Sequence, residues 1–214
     1  MWLPHGYEGM GPEHSSARIE RFLQLAAQNN LEIAYPTKAS QIFHLLRHQV
    51  LKNHKTPLIL FAPKALLRQK LSYAYLSDIT SKGFQNFLLD IDIDPERVEK
   101  IIFSTGKMIW DLREMQKSTL KNAACISVER LYPIDHEQLK KIVKTYPKAN
   151  KILLVQEEPE NMGSILYLKN IFGESFLNLP VEIKSRPASA STAAGSSIMH
   201  RFEQDLLWKS IIEA

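Results

Sequence analysis

Cysteine is almost missing from this sequence, because its 214 residues include only one, Cys125. No intrachain disulfide can therefore form, which agrees with a reducing compartment. Long apolar runs are also missing: none reaches the ~18 residues that are needed to span a bilayer. Neither charge sign dominates, since 27 Lys and Arg residues stand against 23 Asp and Glu, and the basic residues form no long block. These absences exclude a disulfide scaffold and indicate neither a membrane protein nor a nucleic-acid-binding surface.

The rest of the composition is that of an ordinary folded protein. Hydrophobic residues make up 44% of the chain and charged residues 23%, and both values are typical of globular domains. A chain of this length has room for one large domain or two small ones, with a buried core. Cys125 lies in the apolar run AACISV, so we expect an inert core thiol there rather than a nucleophile.

Short apolar runs alternate with amphipathic segments along most of the chain. Runs such as 57–63 are uninterrupted and bounded by prolines, which is typical of strands that are covered on both faces. The intervening segments repeat apolar residues every three or four positions, which predicts helices. We expect helices at these positions: 16–29, a segment after Thr37, 107–116, 136–145, 163–172 and 196–212. Such alternation predicts an α/β fold of parallel-sheet layers with helices on both faces.

Polar residues precede several of these helices and are candidate N-terminal caps. Ser15 or Ser16 could cap the first helix, Thr37 the second, and Asp135 the helix that begins near residue 136. Residues 64–98 break the alternation, because they are polar, weakly periodic and end in an acidic cluster with a proline. We expect a surface connector there, with at most one short helix or strand and a domain boundary near residue 90.

Functional side chains are expected where parallel strands end, because ligands of open parallel sheets bind at that edge. The stretch 3–14 follows the first strand and contains three glycines, two prolines and two histidines. His14 is the best candidate, since a histidine with a pKa near ~6.5 can bind a substrate and donate a proton. The alternative is a loop histidine that only bonds a neighbouring carbonyl. Glu8 or Glu13 could orient its imidazole.

Weaker signals lie elsewhere in the chain. His44 and His48 stand four apart on a predicted helix, but no third ligand is apparent, so we expect an exposed helix surface and no metal site. Glu157 and Glu158 are adjacent at a strand end, where they could serve acid–base chemistry or have a structural role.

The loop RPASASTAAG precedes the last helix and contains Arg186 and Ser189. An arginine and small residues before a helix N-terminus are suited to a bound anion, so this loop is a possible anion or regulatory site. A tight loop that packs on the neighbouring strand is equally compatible with the pattern.

The stretch HGYEGMGPEHSSAR resembles the signature of the thiamine-diphosphate-dependent decarboxylating component of the 2-oxoglutarate dehydrogenase complex. Further segments follow in the family's order and spacing: PTKASQIFHLLRHQVL, PLILFAPKALLR, STGKMIWDL, ISVERLYPIDHEQL, VQEEPENMGS and RPASAS. The resemblance covers essentially the whole chain and corresponds to the C-terminal part of a longer enzyme. It implies that residues 1–75 end a pyrimidine-binding domain, 76–97 form a connector, and 98–214 form a transketolase-type C-terminal domain.

The resemblance also implies roles for individual residues. His14 would be an active-site residue beside the reactive carbon of the cofactor. Four residues would lie next to the substrate or cofactor: His5, Gly11, Glu13 and Ser15. The segment that contains Glu157 and Glu158 would lie away from the decarboxylation step, in a structural role or at a subunit interface.

The implied reaction is oxidative decarboxylation of 2-oxoglutarate, with succinyl transfer to a lipoyl group, in the tricarboxylic acid cycle. The complete enzyme would use thiamine diphosphate and magnesium. The family's diphosphate-binding GDG motif and its magnesium ligands have no counterpart in this sequence, so we expect no cofactor in this chain alone and an inactive fragment.

The implied partners are a second copy in a homodimer, the lipoyl-bearing dihydrolipoyl succinyltransferase and dihydrolipoyl dehydrogenase. Neither nucleic acid nor membrane is expected. The location would be cytoplasmic in a bacterium and the mitochondrial matrix in a eukaryote. The alternatives are a portion of a 2-oxoadipate dehydrogenase or transketolase-like enzyme, and a non-catalytic dimerisation or regulatory module.

Overall fold

The computed structural model describes residues 1–7 and 11–214, so Glu8 lies outside the described residues. The strands are β1 Trp2–Pro4, β2 Glu32–Ala34, β3 Leu58–Ala62, β4 Phe87–Leu88, β5 Lys100–Ser104, β6 Ala123–Val128, β7 Arg130–Tyr132, β8 Lys151–Pro159, β9 Ser175–Phe176 and β10 Leu179–Arg186. The α-helices are α1 Ile19–Leu25, α2 Ala39–Leu51, α3 Leu76–Thr80, α4 Met108–Gln116, α5 His136–Lys144, α6 Ile165–Phe172 and α7 Ser197–Ile212.

The strands form two mostly parallel sheets. The first has the order β1-β3-β2-β7 and the second the order β4-β6-β5-β8-β10-β9. Antiparallel pairing is confined to β7, β4 and β9, each at a sheet edge. The predicted α/β class with parallel-sheet layers is therefore confirmed, with antiparallel edges that the sequence pattern did not indicate.

Helices cover both faces of the second sheet, and strand alternation shows why. Along β5, Ile101 and Phe103 belong to one buried cluster, whereas Ile102 belongs to another. Successive side chains of a strand point to opposite faces, so a continuous apolar run serves two layers at once. Buried residues of α5 and α6 join the first cluster, and those of α4 and α7 join the second.

Two of the three predicted caps are wrong. The first α-helix begins only at Ile19, with Arg18 at the capping position and no side-chain cap, and Ser15 donates instead to the Gly6 carbonyl. Thr37 does not cap α2 either, because its backbone N–H and hydroxyl both bond the buried carboxylate of Glu129. Asp135 does cap α5 by accepting from the Gln138 N–H.

The region between the two sheets is more regular than predicted. It contains two short 3-10 helices, 65–68 and 70–72, then α3 and β4, and a further 3-10 turn at 95–97. β4 pairs with β6 and so forms one edge of the second sheet. The polar composition of residues 64–98 did not indicate these elements, because they are short and only partly buried.

Cys125 is fully buried in β6, as the sequence predicted. Burial, with a smaller contribution from Asp90, raises the pKa of its thiol to about 12. A thiol with such a pKa is almost entirely protonated near neutrality and is a poor nucleophile. Within the described residues, no helix is long and apolar enough to cross a membrane.

Candidate functional site

The strand ends of both sheets meet around the stretch that follows β1. His5 is 2% exposed, and its ring lies edge-on to Tyr35 and Phe61, with centroids 5.7 Å from each. The Tyr35 hydroxyl donates to the His5 carbonyl at 3.0 Å. The ends of β1, β2 and β3 therefore enclose this histidine, which explains its burial.

Both ring nitrogens of His5 are engaged. Nδ1 lies 2.5 Å from the Ala17 carbonyl oxygen and Nε2 lies 2.8 Å from Glu158 Oε1. A carbonyl oxygen can only accept, so Nδ1 carries a hydrogen. Burial alone would lower the pKa of His5, but the hydrogen bond and charge of Glu158, with the Ala17 carbonyl, raise that pKa above its ordinary value of 6.5. The contact with Glu158 therefore favours the protonated form of His5.

Glu157, the neighbour of Glu158, joins the first sheet to the second. Its Oε1 accepts the Tyr7 backbone N–H at 3.1 Å, and its Oε2 lies 2.5 Å from the ammonium of Lys107, at the carboxyl end of β5. Burial opposes the charge on Lys107, but Glu157 and Asp111 outweigh it and raise the pKa of that ammonium. Lys107 therefore stays charged and pairs with a carboxylate that is itself 2% exposed.

Arg186 completes this buried cluster from β10. Its guanidinium lies 4.8 Å from the Tyr7 ring centroid and donates to the Glu157 carbonyl, to Glu203 at 2.6 Å and to Gln204 at 2.7 Å. The His200 ring stacks on the Tyr7 ring, with the two centroids 6.1 Å apart. These contacts occupy the guanidinium with protein groups, so the geometry lends no support to an anion there.

Ser189 lies in the loop after Arg186 and is held by a reciprocal pair of bonds. The side chain of Asn161 donates to the Ser189 carbonyl and accepts its N–H, both at 2.9 Å. This is the packed-loop alternative that the sequence left open.

His14 lies at the end of a short 3-10 helix, 12–14, and is half-buried. Its Nε2 is 3.2 Å from Glu13 Oε1, and its Nδ1 is buried without a hydrogen-bond partner among the described residues. Gly11 precedes this turn, and the buried Ser15 follows it. A half-buried imidazole with a free nitrogen is able to bind a substrate group or move a proton.

Glu158 and Glu157 contact His5 and Tyr7 in the stretch after β1, and their structural or interface role stays a prediction. His44 is misplaced by the prediction: it is buried, and its Nε2 lies 2.7 Å from the Asp78 carbonyl. The predictions missed Tyr7 and Lys107 as site residues, although both follow strand ends, which was the available signal.

Gln156 was also missed, and it organises the turn after β8. Its side-chain carbonyl accepts the backbone N–H groups of Ser164 and Ile165, at the start of α6. Its amide donates to the carbonyls of Pro159 and Met162. The sequence signal was again a polar residue directly after an apolar run, here the run 152–155.

The described residues contain no group of three His, Cys, Asp or Glu side chains that could hold a metal ion.

Two mostly parallel sheets that meet at a rim of buried charged side chains define an α/β protein with a ligand-binding strand edge. Family models identify it further. The 2-oxoglutarate dehydrogenase C-terminal model matches residues 74–212, and the transketolase pyrimidine binding domain model matches residues 1–70. The chain belongs to the 2-oxoglutarate dehydrogenase C-terminal family, which confirms the resemblance found in the sequence.

Curated relatives agree with this assignment. The chain is 41% identical to the 2-oxoglutarate dehydrogenase E1 component of Haemophilus influenzae, over 97% of this chain and 22% of the relative. It is 39% identical to that of Coxiella burnetii, over 100% of this chain and 23% of the relative. The protein of the same name from Cupriavidus necator is 40% identical, with 100% and 22% covered. The chain thus spans less than a quarter of the length of these relatives.

Proposed function

We propose that this chain is the C-terminal portion of a 2-oxoglutarate dehydrogenase decarboxylating component. The whole protein would oxidatively decarboxylate 2-oxoglutarate and transfer the succinyl group to a lipoyl group. The observation that carries the proposal is the position of His14. It is half-buried, its Nδ1 has no hydrogen-bond partner within residues 1–7 and 11–214, and the base of its loop is held by the strand ends of both sheets. The match to relatives of that name supports the substrate.

We assign residues 1–75 to the end of the pyrimidine-binding domain, 76–97 to the connector and 98–214 to the C-terminal domain. One family match ends at residue 70 and the other begins at residue 74, which supports the first of these boundaries. Thiamine diphosphate and magnesium would be bound by other parts of the complete enzyme, since the family's diphosphate-binding GDG motif has no counterpart in this sequence.

The chain's own contribution would be substrate binding and proton movement by His14. Its Nε2 lies close to Glu13, and its buried Nδ1 has no hydrogen-bond partner in the part of the chain that the structure describes. A substrate carboxylate or carbonyl that reaches this imidazole would supply a partner. His5, Gly11 and Ser15 would shape the loop beside it: Ser15 bonds Gly6, and His5 bonds Ala17.

The proposed partners are a second copy, the lipoyl-bearing dihydrolipoyl succinyltransferase and dihydrolipoyl dehydrogenase. Exposed apolar side chains at intervals of four along α7, Ile198, Phe202 and Leu206, support a homodimer, because such stripes tend to become contacts. The bacterial relatives support a cytoplasmic location.

The test uses the complete decarboxylating protein that carries this sequence. We expect His14→Ala to lower turnover of 2-oxoglutarate by about 10²–10⁴-fold, the usual contribution of a general acid–base group, without unfolding the protein. The exposed His54 supplies the control His54→Ala, which should keep wild-type turnover. Wild-type turnover by His14→Ala would contradict the role of His14, and a preference of the unmodified enzyme for 2-oxoadipate would contradict the substrate.

A further inference from the structure

The loop that carries His14 is closed at its base by two contacts. We call the described residues of this stretch, 5–7 and 11–17, the histidine loop. The His5 Nδ1–H bonds the Ala17 carbonyl at 2.5 Å, and the Ser15 hydroxyl donates to the Gly6 carbonyl at 2.9 Å. These contacts tie the two ends of the loop together on either side of His14.

The closed base is attached to β8 through two adjacent carboxylates. Glu158 bonds the His5 ring at 2.8 Å and Glu157 bonds the Tyr7 N–H at 3.1 Å. Neighbouring residues of a regular strand point to opposite faces, so this shared direction needs an explanation. The pairing of β8 with β10 provides it: Val155 is opposite Lys184 but Pro159 is opposite Arg186, so β8 carries extra residues there. Such a bulge redirects side chains.

Placing two carboxylates here is energetically costly. Glu157 and Glu158 are 2% and 4% exposed, and a buried charge costs free energy unless it is paired and hydrogen-bonded. Apolar residues could join two sheets without that cost. The pairing instead fixes one position of the histidine loop, because each carboxylate has a defined donor in that loop.

His14 depends on this loop for its orientation. Its Nδ1 has no hydrogen-bond partner among the described residues, and Glu13, which contacts its Nε2, is itself largely exposed. We infer that Glu158 and Glu157 are positioning residues, which hold the histidine loop so that His14 faces the substrate. This inference rests on the proposed function of His14.

The test compares variants of the complete enzyme. Glu158→Gln keeps the side chain's shape but removes its charge. We expect kcat to fall by about 10–100-fold, the cost of a small displacement of a reacting group, with a far smaller change in KM. Glu160→Gln, the same substitution at an exposed position two residues away, should leave both constants unchanged.

In a His14→Ala background, Glu158→Gln should lower kcat no further, since the two residues act as a unit. An equal fall in both backgrounds would overturn the inference.

A second measurement does not need activity. The rate at which diethyl pyrocarbonate modifies His14, followed by mass spectrometry of its peptide, should change several-fold in Glu158→Gln and not in Glu160→Gln. If 2-oxoglutarate proves not to be a substrate but this rate shifts, the proposed function fails and the positioning role stands. An unchanged rate in a folded Glu158→Gln would overturn the positioning role. If that variant does not fold, Glu157→Gln, which changes the other carboxylate that bonds the loop, gives the same decision.

Discussion

His5 is the residue at which burial and pairing compete most directly. Its neighbours are the rings of Tyr35 and Phe61 and the carboxylate of Glu158. The aromatic surroundings favour the neutral imidazole, whereas the carboxylate favours the imidazolium. The raised pKa of His5 means that the carboxylate prevails, so the folded state holds its proton more tightly than the unfolded state does.

This difference predicts how stability depends on pH. A folded-state pKa raised above 6.5 contributes stability that is fully present below pH 6.5 and is lost as pH rises through the folded pKa. The free energy of unfolding of the wild type should therefore exceed that of His5→Gln by a margin that shrinks above neutral pH. Urea titrations at several pH values measure that margin. His54→Gln, at an exposed histidine, is the control for loss of an imidazole. A margin for His5→Gln that grew with pH would contradict the assignment.

For single residues, the sequence predicted which positions could belong to a site, but it did not predict which residues they contact. His5, His14, Glu157 and Glu158 were all identified from their positions at strand ends. The contact between Glu157 and Tyr7 joins residues 150 positions apart. It depends on a bulge in β8, and local hydrophobic patterns carry no information about such irregular pairing.

At the scale of elements, the hydrophobic pattern was sufficient wherever burial determines structure. The strand at 57–63 and the helices at 107–116 and 136–145 agree with β3, α4 and α5 within one residue at each end. Cap assignments failed because the hydroxyls of Ser15 and Thr37 bond residues that are distant in the sequence or lie across the loop. A hydroxyl that caps a helix in isolation bonds a buried carboxylate when the fold offers one.

The turn from β5 into α4 provides a test at the element scale. Gly106 has φ +62°, and an added Cβ would lie 2.4 Å from the Tyr35 ring. Gly106→Ala should therefore suffer both the left-handed strain of about 1–2 kcal/mol and an overpacking cost of about 1–3 kcal/mol.

Gly195 separates these two costs. Its φ is +70°, but nothing lies within 4 Å of an added Cβ, so Gly195→Ala should show the strain alone. Urea unfolding of both variants measures the difference. Equal destabilisation of Gly106→Ala and Gly195→Ala would mean that the Tyr35 ring moves aside at little cost in free energy. The turn would then not fix the end of β2 against β5.

At the scale of the whole molecule, the two sheets share one hydrophobic cluster. Ile33 and Phe61 of the first sheet belong to the same cluster as Phe103 and Leu154 of the second. The chain also crosses between the sheets at Glu129, since β6 lies in the second sheet and β7 in the first. Glu129 is fully buried, and burial raises the pKa of its carboxyl, although bonds from Ser127 and Thr37 oppose the shift. The two sheets are therefore joined by core packing, by the chain segment that passes through Glu129, and by the hydrogen bonds that Glu129 accepts.

A shared core predicts that the two sheets unfold together, although the family matches divide the chain near residue 70. Thermal unfolding of this chain should be a single transition whose calorimetric and van't Hoff enthalpies agree.

Phe61→Ala removes a fully buried ring of the shared cluster, and it should lower the free energy of unfolding by about 3–5 kcal/mol. Because Phe61 belongs to a cluster that includes residues of both sheets, the loss should shift the whole transition to lower temperature. Tyr73→Ala, at an aromatic residue that is 61% exposed, should shift it little. Two resolved transitions, or a Phe61→Ala effect on only one of them, would mean that the cluster does not couple the sheets.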